Sequence, residues 1–404
     1  MGKKSIYPRH NNFRTSKLFF VLLILAIMGL AAATGTYLYY FKTTQPEAAT
    51  SHSVTAKAAS NNLTKLEGSY LFSGTIVLAR GVESYANSDY NQPFSGMASL
   101  GTYDAHIGVL ECPITTNADS FANEVQNLVF NCQPYWLPYL KKYFPILNLS
   151  SDHLNDQGPQ GIASTFKLLN AAGFQTVGTY DPHSLSDDCK AIILPVRLIA
   201  SNGQTKPATL PIAMCSYNYK FLFQPQPGEI ASISQWSKIM PVIALLNEGP
   251  EYHHTASTQQ VEYAHEMIDA GADMVIGNGT HWIQNTEIYK GKLIAYSMGN
   301  FIFDQLDKDG RIALNLAVNI SLPYSSNLAR WINLAPTCLA NDESCYKIAE
   351  SMHLTKLKPF YSFNAIASYG GYLQVATKAS PADQAYMEMR ANWTQTLSQL
   401  PHNY

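Results

Sequence analysis

Charge is what this 404-residue chain has least of: Asp, Glu, Lys and Arg make up 14%, against roughly 25% in an average soluble protein. With 46% apolar and 12% aromatic residues, that scarcity excludes a disordered chain or a coiled coil. No basic surface is available for nucleic acid, and no nucleic-acid partner is expected. Absent too are a Walker loop, a dinucleotide fingerprint and a Gly-x-Ser-x-Gly nucleophile elbow, which removes the motif-borne nucleotide-binding and serine-hydrolase readings. No internal repeat is evident. The six cysteines contain no Cys-x-x-Cys pair, so they point to disulfides in an oxidising compartment and away from a zinc site. Fifteen connectivities are open. Cys338 and Cys345 are near enough in sequence to staple a surface loop.

The charges are unevenly placed. Lys3, Lys4, Arg9, Arg14, Lys17 and Lys42 precede any acid, so the remaining 21 basic residues face all 29 acidic ones, a net −8. Between Lys17 and Lys42 runs LFFVLLILAIMGLAAATGTYLYYF, uncharged from Leu18 to Phe41. At 1.5 Å per residue it spans a hydrocarbon core of about 30 Å. Its basic amino-side flank keeps residues 1–17 cytoplasmic and exports the remainder. A cleaved signal peptide is the alternative, with Ala31–Ala33 as the small residues before the cut. The anchor is preferred because the run outlasts a 7–15-residue signal core and ends in Tyr37, Tyr39, Tyr40 and Phe41, an interfacial belt. Residues 42–66, rich in Ala, Ser and Thr near their start, read as a flexible linker.

The exported body alternates strand-like and helix-like segments, an α/β layered pattern. Strands are expected at Tyr70–Leu78, His106–Leu110, Ile146–Leu149, Ala191–Val196, Leu210–Met214, Pro241–Leu246, Met274–Ile276, Leu293–Tyr296 and Ile312–Leu322. Helical periodicity marks Gly161–Ala172, striped by Ile162, Phe166, Leu169 and Ala172, and Thr258–Ala270, striped by Val261, Ala264, Met267 and Ile268. Gly173 and Gly271 close these helices. Residues 327–357 read as an insertion, Tyr361–Ala376 as a hairpin turned at Gly370-Gly371, and Pro381–Leu397 as a helix capped by Ser380. Polar clusters follow several strands, where open α/β sheets build their sites.

LECPIT, LSSDHLNDQGPQG, GPEY and then QQVEYAHEMIDAGADMVIGNGTHWIQNTEIYKGKLIAYSMGNFIF occur in this order. Over Tyr70–Asp304 the chain resembles the CapA family of capsule and poly-γ-glutamate synthesis proteins. The resemblance implies a calcineurin-like metallophosphatase fold for residues 67–307: a four-layer sandwich of two β-sheets flanked by helices. Residues 308–404 would complete the domain. It further implies a membrane-anchored protein working outside the cytoplasm.

Metallophosphatase chemistry needs two ions about 3.5–4 Å apart, held by carboxylates, an Asn and several His. Against the family pattern, Thr75 stands for the first Asp, Val109 for the Asn before the retained Glu111, Asp152 for a ligand Asn, Asn247 for a His with Glu248 for the following Trp, and Gly279 for a His with Thr280 for the following Pro. His153 and His281 are retained. With three ligands missing, a two-metal site is not expected, since losing even a supporting partner costs 10–100-fold in affinity. What remains is one divalent ion (Mn, Zn or Mg) on Glu111, Asp152, His281 and the neutral Asn247, with His153 as general acid. The alternative is no metal at all, with Glu111 and Asp152 bonded to backbone N–H groups in tight turns and His153 and His281 as ordinary loop residues. His253 and His254 point to opposite faces of an extended segment, so at most one reaches a shared site.

Three functions are therefore carried forward. One is assembly, anchoring or export of an anionic surface polymer, with polymer-synthesis proteins as partners and reduced or absent metallophosphatase activity. A second is single-metal hydrolysis of a phosphate or amide substrate. The third is a cell-surface scaffold. The acidic body repels a polyanion unless a metal or a local basic patch intervenes.

Overall fold

The computed structural model describes residues 62–117, 121–183, 189–221, 223–370 and 375–401. The expected anchor and most of the linker lie outside these residues. Among the described residues, no helix is long and apolar enough to cross a membrane.

The chain forms a mixed α/β fold in which one large sheet is flanked by helices. Its strands are β1 (Leu63–Ile76), β2 (Ala105–Leu110), β3 (Ile146–Asn148), β4 (Gln175–Val177), β5 (Cys189–Ala200), β6 (Thr205–Asn218), β7 (Val242–Asn247), β8 (Met274–Asn278), β9 (Thr286–Tyr289), β10 (Lys292–Ala295), β11 (Asn300–Ile302), β12 (Ile312–Pro323), β13 (Phe360–Gly370) and β14 (Ala376–Lys378). All nine expected strands form. β4, β9 and β11, three or four residues each, are too short for periodicity to show.

The two sheets expected are one hydrogen-bonded network that branches at β1. The first residues of this strand, LTKLEG, alternate in burial and pair antiparallel with β5 and β12. From Tyr70 onward the strand is buried on both faces and pairs parallel with β2, as a continuous apolar run in a covered parallel sheet should. One branch runs β1-β2-β3-β4, all parallel. The other runs β1-β5-β6-β7-β8-β10-β9, with β6, β7, β8 and β10 parallel. The branches face each other: Phe72, Ile107 and Val109 on one side, and Leu245 and Ile276 on the other, line a residual void of about 10 Å³. The same end of both branches therefore presents strand carboxyl ends. The sheet needs glycine at Gly74, because a Cβ there would stand 1.9 Å from the Gly299 carbonyl oxygen.

The C-terminal segment sits inside this architecture. β12 pairs with β1 from Lys65 to Phe72, a central position. β13 and β14 form the expected hairpin, part of whose turn lies outside the described residues. The expected insertion folds as two helices, Ser326–Ala340 and Asp342–Ser351, with Trp331, Leu334 and Ala335 in the core. The helix Gly158–Ala171 buries Gly161, Thr165 and Leu169, leaving Ile162 and Phe166 at the margin. Its face is rotated from the apolar stripe because the Thr165 hydroxyl accepts from the Ile114 N–H at 2.7 Å and gives the loop after β2 a partner. The helix Thr258–Asp269 buries Ala264, Met267 and Ile268 as expected, together with Gln260, which completes a capping box with Ser257.

The six cysteines fall into three pairs at bonding distance, Cys112–Cys132, Cys189–Cys215 and Cys338–Cys345. The first closes the segment that begins immediately after Glu111. Cys132→Ala should destabilise the protein by about 3 kcal/mol, the loop-closure value for a 20-residue separation. Urea unfolding of variant and wild type under oxidising conditions checks this.

Candidate functional site

Six strand carboxyl ends deliver polar side chains to one place. Thr75 comes from β1, Glu111 follows β2, Asp152 and His153 follow β3, Lys220 follows β6, Asn247 ends β7, and Asn278 ends β8 with His281 just beyond. The contacts form one continuous chain. Asn278 Nδ2 donates to Thr75 Oγ1 at 2.7 Å, and Thr75 Oγ1 donates to Glu111 Oε2 at 3.0 Å. Glu111 Oε1 lies 3.9 Å from His281 Nε2, which is 3.6 Å from Glu251 Oε1. Glu251 pairs with Lys220 Nζ at 2.9 Å, and Lys220 Nζ lies 3.7 Å from Asp152 Oδ2. Asp152 Oδ1 faces Asn247 Nδ2 at 3.4 Å, and Asn247 also donates to Asn218 Oδ1 at 2.8 Å.

Lys220 is the residue that sequence reasoning missed. β6 was expected to end at Met214 but runs to Asn218, carrying Lys220 into the cluster. The residue is 2% exposed, and its ammonium also donates to the Gly279 carbonyl at 2.5 Å. Burial alone pulls its pKa down, but the charges of Asp152, Glu111 and Glu251 outweigh this and hold it above the ordinary lysine value. Glu251 is held down at about 2, first by His281 and, against burial, also by Lys220. Neighbouring Glu248 is pushed up to about 7 by burial.

The two histidines are fixed differently. His153 Nδ1 is 2.8 Å from Asp156 Oδ2, its ring stacks on Phe130 at 4.1 Å, and Nε2 lies 3.9 Å from Asp152. Burial lowers its pKa, yet the hydrogen bond and charge of Asp156, with Glu111 and Asp152 behind, raise it to about 9. His281 adopts a left-handed φ of 62°, a conformation non-glycine residues hold only where their surroundings enforce it. Here a 3.0 Å contact from Nδ1 to Asn300 Oδ1 and stacking against Tyr252 and Phe303 do so. Gly279 is required beside them: a Cβ would come 2.2 Å from Asn247 Oδ1.

The structure thus gathers Glu111, Asp152, His153, Asn247 and His281, and adds Thr75, Lys220 and Glu251. His253 and His254 stay out. The first contacts the Glu251 carbonyl and the second stacks on Trp282, while Glu251 just before them reaches the cluster.

This donor set does not suit a pair of ions. Thr75 offers a hydroxyl already engaged with Glu111, Asn247 presents its NH₂ to Asp152, and an ammonium sits among the carboxylates. Among the described residues, no three His, Cys, Asp or Glu side chains are arranged to hold a metal. The cluster retains three buried oxygens without a donor: Glu111 Oε1, Asn247 Oδ1 and Asn278 Oδ1.

Fold and site together define an α/β domain with a lysine-centred polar cluster at the carboxyl ends of its parallel strands. Residues 69–305 match the family described as bacterial capsule synthesis protein PGA_cap, and the chain belongs to that family. It is 31% identical over 175 residues to the capsule biosynthesis protein CapA of Bacillus anthracis, covering 40% of this chain and 41% of that one. It is 32% identical over 171 residues to the PGA biosynthesis protein CapA of Bacillus subtilis strain 168, covering 40% and 43%. The matched stretch therefore spans about two fifths of either relative. A phosphatase structure from Mycoplasma pneumoniae aligns over 78% of this chain and 96% of that chain, at 10% identity and TM-score 0.39, a likeness too slight to bear on chemistry.

Two outcomes follow. Lys220→Met should cost about 3 kcal/mol, the low end for breaking a buried ion pair, because it leaves the half-buried Asp152 and Glu251 and the buried Glu111 without their counter-charge; denaturant titration measures it. His153 is protonated more readily folded than unfolded, so its stabilising contribution is complete below about pH 6.5 and is lost as pH rises through about 9. Unfolding midpoints across that window should fall in the wild type and flatten in His153→Gln.

Proposed function

We propose that this protein is a membrane-anchored, extracytoplasmic accessory of anionic surface-polymer synthesis, of the capsule or poly-γ-glutamate type, acting through binding rather than two-metal hydrolysis. Family membership supports the link to capsule synthesis. The curated relatives are named for capsule and PGA biosynthesis. The fold reading is a metallophosphatase-type sandwich, supported by the branching of β1 and the facing of its two parallel branches. The observation that carries the departure from hydrolysis is the Lys220 ammonium among Asp152, Glu251 and the Gly279 carbonyl. A permanent internal cation neutralises carboxylates that a metal enzyme would reserve for its ions. The basic residues before Leu18 and the apolar run to Phe41 support the anchor and its orientation.

The test is genetic. In a coat-forming strain lacking its own copy, the full chain and its His153→Gln variant, at equal abundance, should restore the polymer coat to the same level. A chain without residues 1–42 should not restore it. A coat unaffected by the deletion, or one lost with His153→Gln, contradicts the proposal.

A second reading, hydrolysis with one divalent ion, is favoured by the three donorless oxygens, of which Glu111 Oε1 and Asn247 Oδ1 belong to expected ligands. One ion per purified chain, absent from Glu111→Ala and His281→Ala variants, would establish it in place of the first.

A further inference from the structure

The amino ends of the same strands open on a different cavity. β8 begins at Met274 and β10 at Lys292, and outside them lies a cleft of about 390 Å³ lined by Asp273, Lys290, Lys292, Lys356, Lys358 and Tyr361. Since β8 is five residues long, the cleft lies roughly 17 Å of strand from the cluster around Asn278. The lysines come from separate places in the chain, Lys290 from the β9–β10 turn, Lys292 from the start of β10, and Lys356 and Lys358 from the segment before β13. Lys292 and Lys356 each stand 3.0 Å from Asp273, one oxygen apiece, and Lys290 pairs with the exposed Asp269 at 2.5 Å. Four ammonium groups are thus matched in these pairs by two carboxylates. Leu357 and Pro359 supply apolar wall between them.

We propose that this cleft binds a chain-like polycarboxylate, a polymer carrying one carboxylate on each repeating unit. The inference rests on the anionic-polymer reading above and names where such a polymer is held. After Lys42 the chain carries a net −8, and four of its 21 basic residues converge here, so the cleft is a positive island on an acidic body. At physiological salt the field of distant charges is screened within about 8 Å, and the local surplus decides what can dock. Lysines suit this ligand: a compact ammonium on a flexible stem needs no fixed register, whereas planar bidentate recognition of phosphate favours arginine. No arginine lines the cleft. The apolar wall accommodates the methylenes between carboxylates.

The test uses the full chain in detergent, purified poly-γ-glutamate as probe, and two double variants of equal charge change. Lys290→Glu with Lys358→Glu alters exposed cleft residues. Lys167→Glu with Lys206→Glu alters exposed residues on the helix Gly158–Ala171 and at the start of β6, neither of which lines the cleft. The cleft pair should weaken polymer binding at least tenfold and reduce its salt dependence, while the distant pair should change it less than twofold. Equal weakening by both pairs, or no binding by the wild type at low salt, overturns the proposal. So does tighter binding to phosphatidylglycerol vesicles than to polymer at matched charge, which would make the cleft a membrane contact. If the polymer is not bound and yet the deletion strain loses its coat, this site falls while the coat role stands. If the deletion strain keeps its coat while the cleft pair still abolishes polymer binding, the site stands and the coat role falls.

Discussion

A lysine ammonium buried among carboxylates is the constraint on which the rest of the site depends. Removing a charge from water costs several kcal/mol, and a buried ion persists only where opposite charge and hydrogen bonds replace its hydration. Lys220 finds both. It joins the loop after β3 through Asp152, the loop after β7 through Glu251 and the loop after β8 through the Gly279 carbonyl. These loops belong to both branches of the sheet, so one cation holds their ends together. The surrounding substitutions are consistent with that cation. Thr75, where a carboxylate would add negative charge, instead donates a hydrogen bond to Glu111, and Asn247 offers Asp152 an N–H.

The histidines extend the same electrostatics outward. Asp156 and the carboxylates behind it hold His153 in its charged form, while His281 is clamped in a left-handed backbone conformation between aromatic rings. The result is a cluster whose charges largely engage one another. Catalytic metal sites keep open positions for substrate; here the ammonium and neutral hydrogen bonds fill much of that role. The lysine cleft at the opposite strand ends is separate from this cluster.

Much of the fold was legible because long strands bury both faces and write continuous apolar runs, as in LPIAM of β6 or VIALL of β7. The expected site residues were legible because they follow those runs. Lys220 was not, because β6 ends in the polar residues Ser216 and Asn218, which read as loop although they are fully buried. Glu251 was overshadowed by the adjacent histidines, whose side chains turn elsewhere, His253 to the Glu251 carbonyl and His254 to Trp282 and Asp309. The face of the helix Gly158–Ala171 was misjudged because Thr165 is buried for its hydrogen bond, which hydrophobic periodicity does not register, whereas Ala264, Met267 and Ile268 of the helix Thr258–Asp269 are buried as expected. The branch at β1 was hidden because pairing partners leave no local trace in sequence.

The central claim, that an internal ammonium does the work of a metal ion in this cluster, is tested most directly by the response of the melting temperature to divalent ions in wild type and Lys220→Ala. The account predicts that chelator and millimolar Mn²⁺ or Mg²⁺ leave the wild type unchanged, whereas the variant melts lower and is partly restored by the ion. A wild type that loses stability on chelation and regains it with two ions per chain would contradict it.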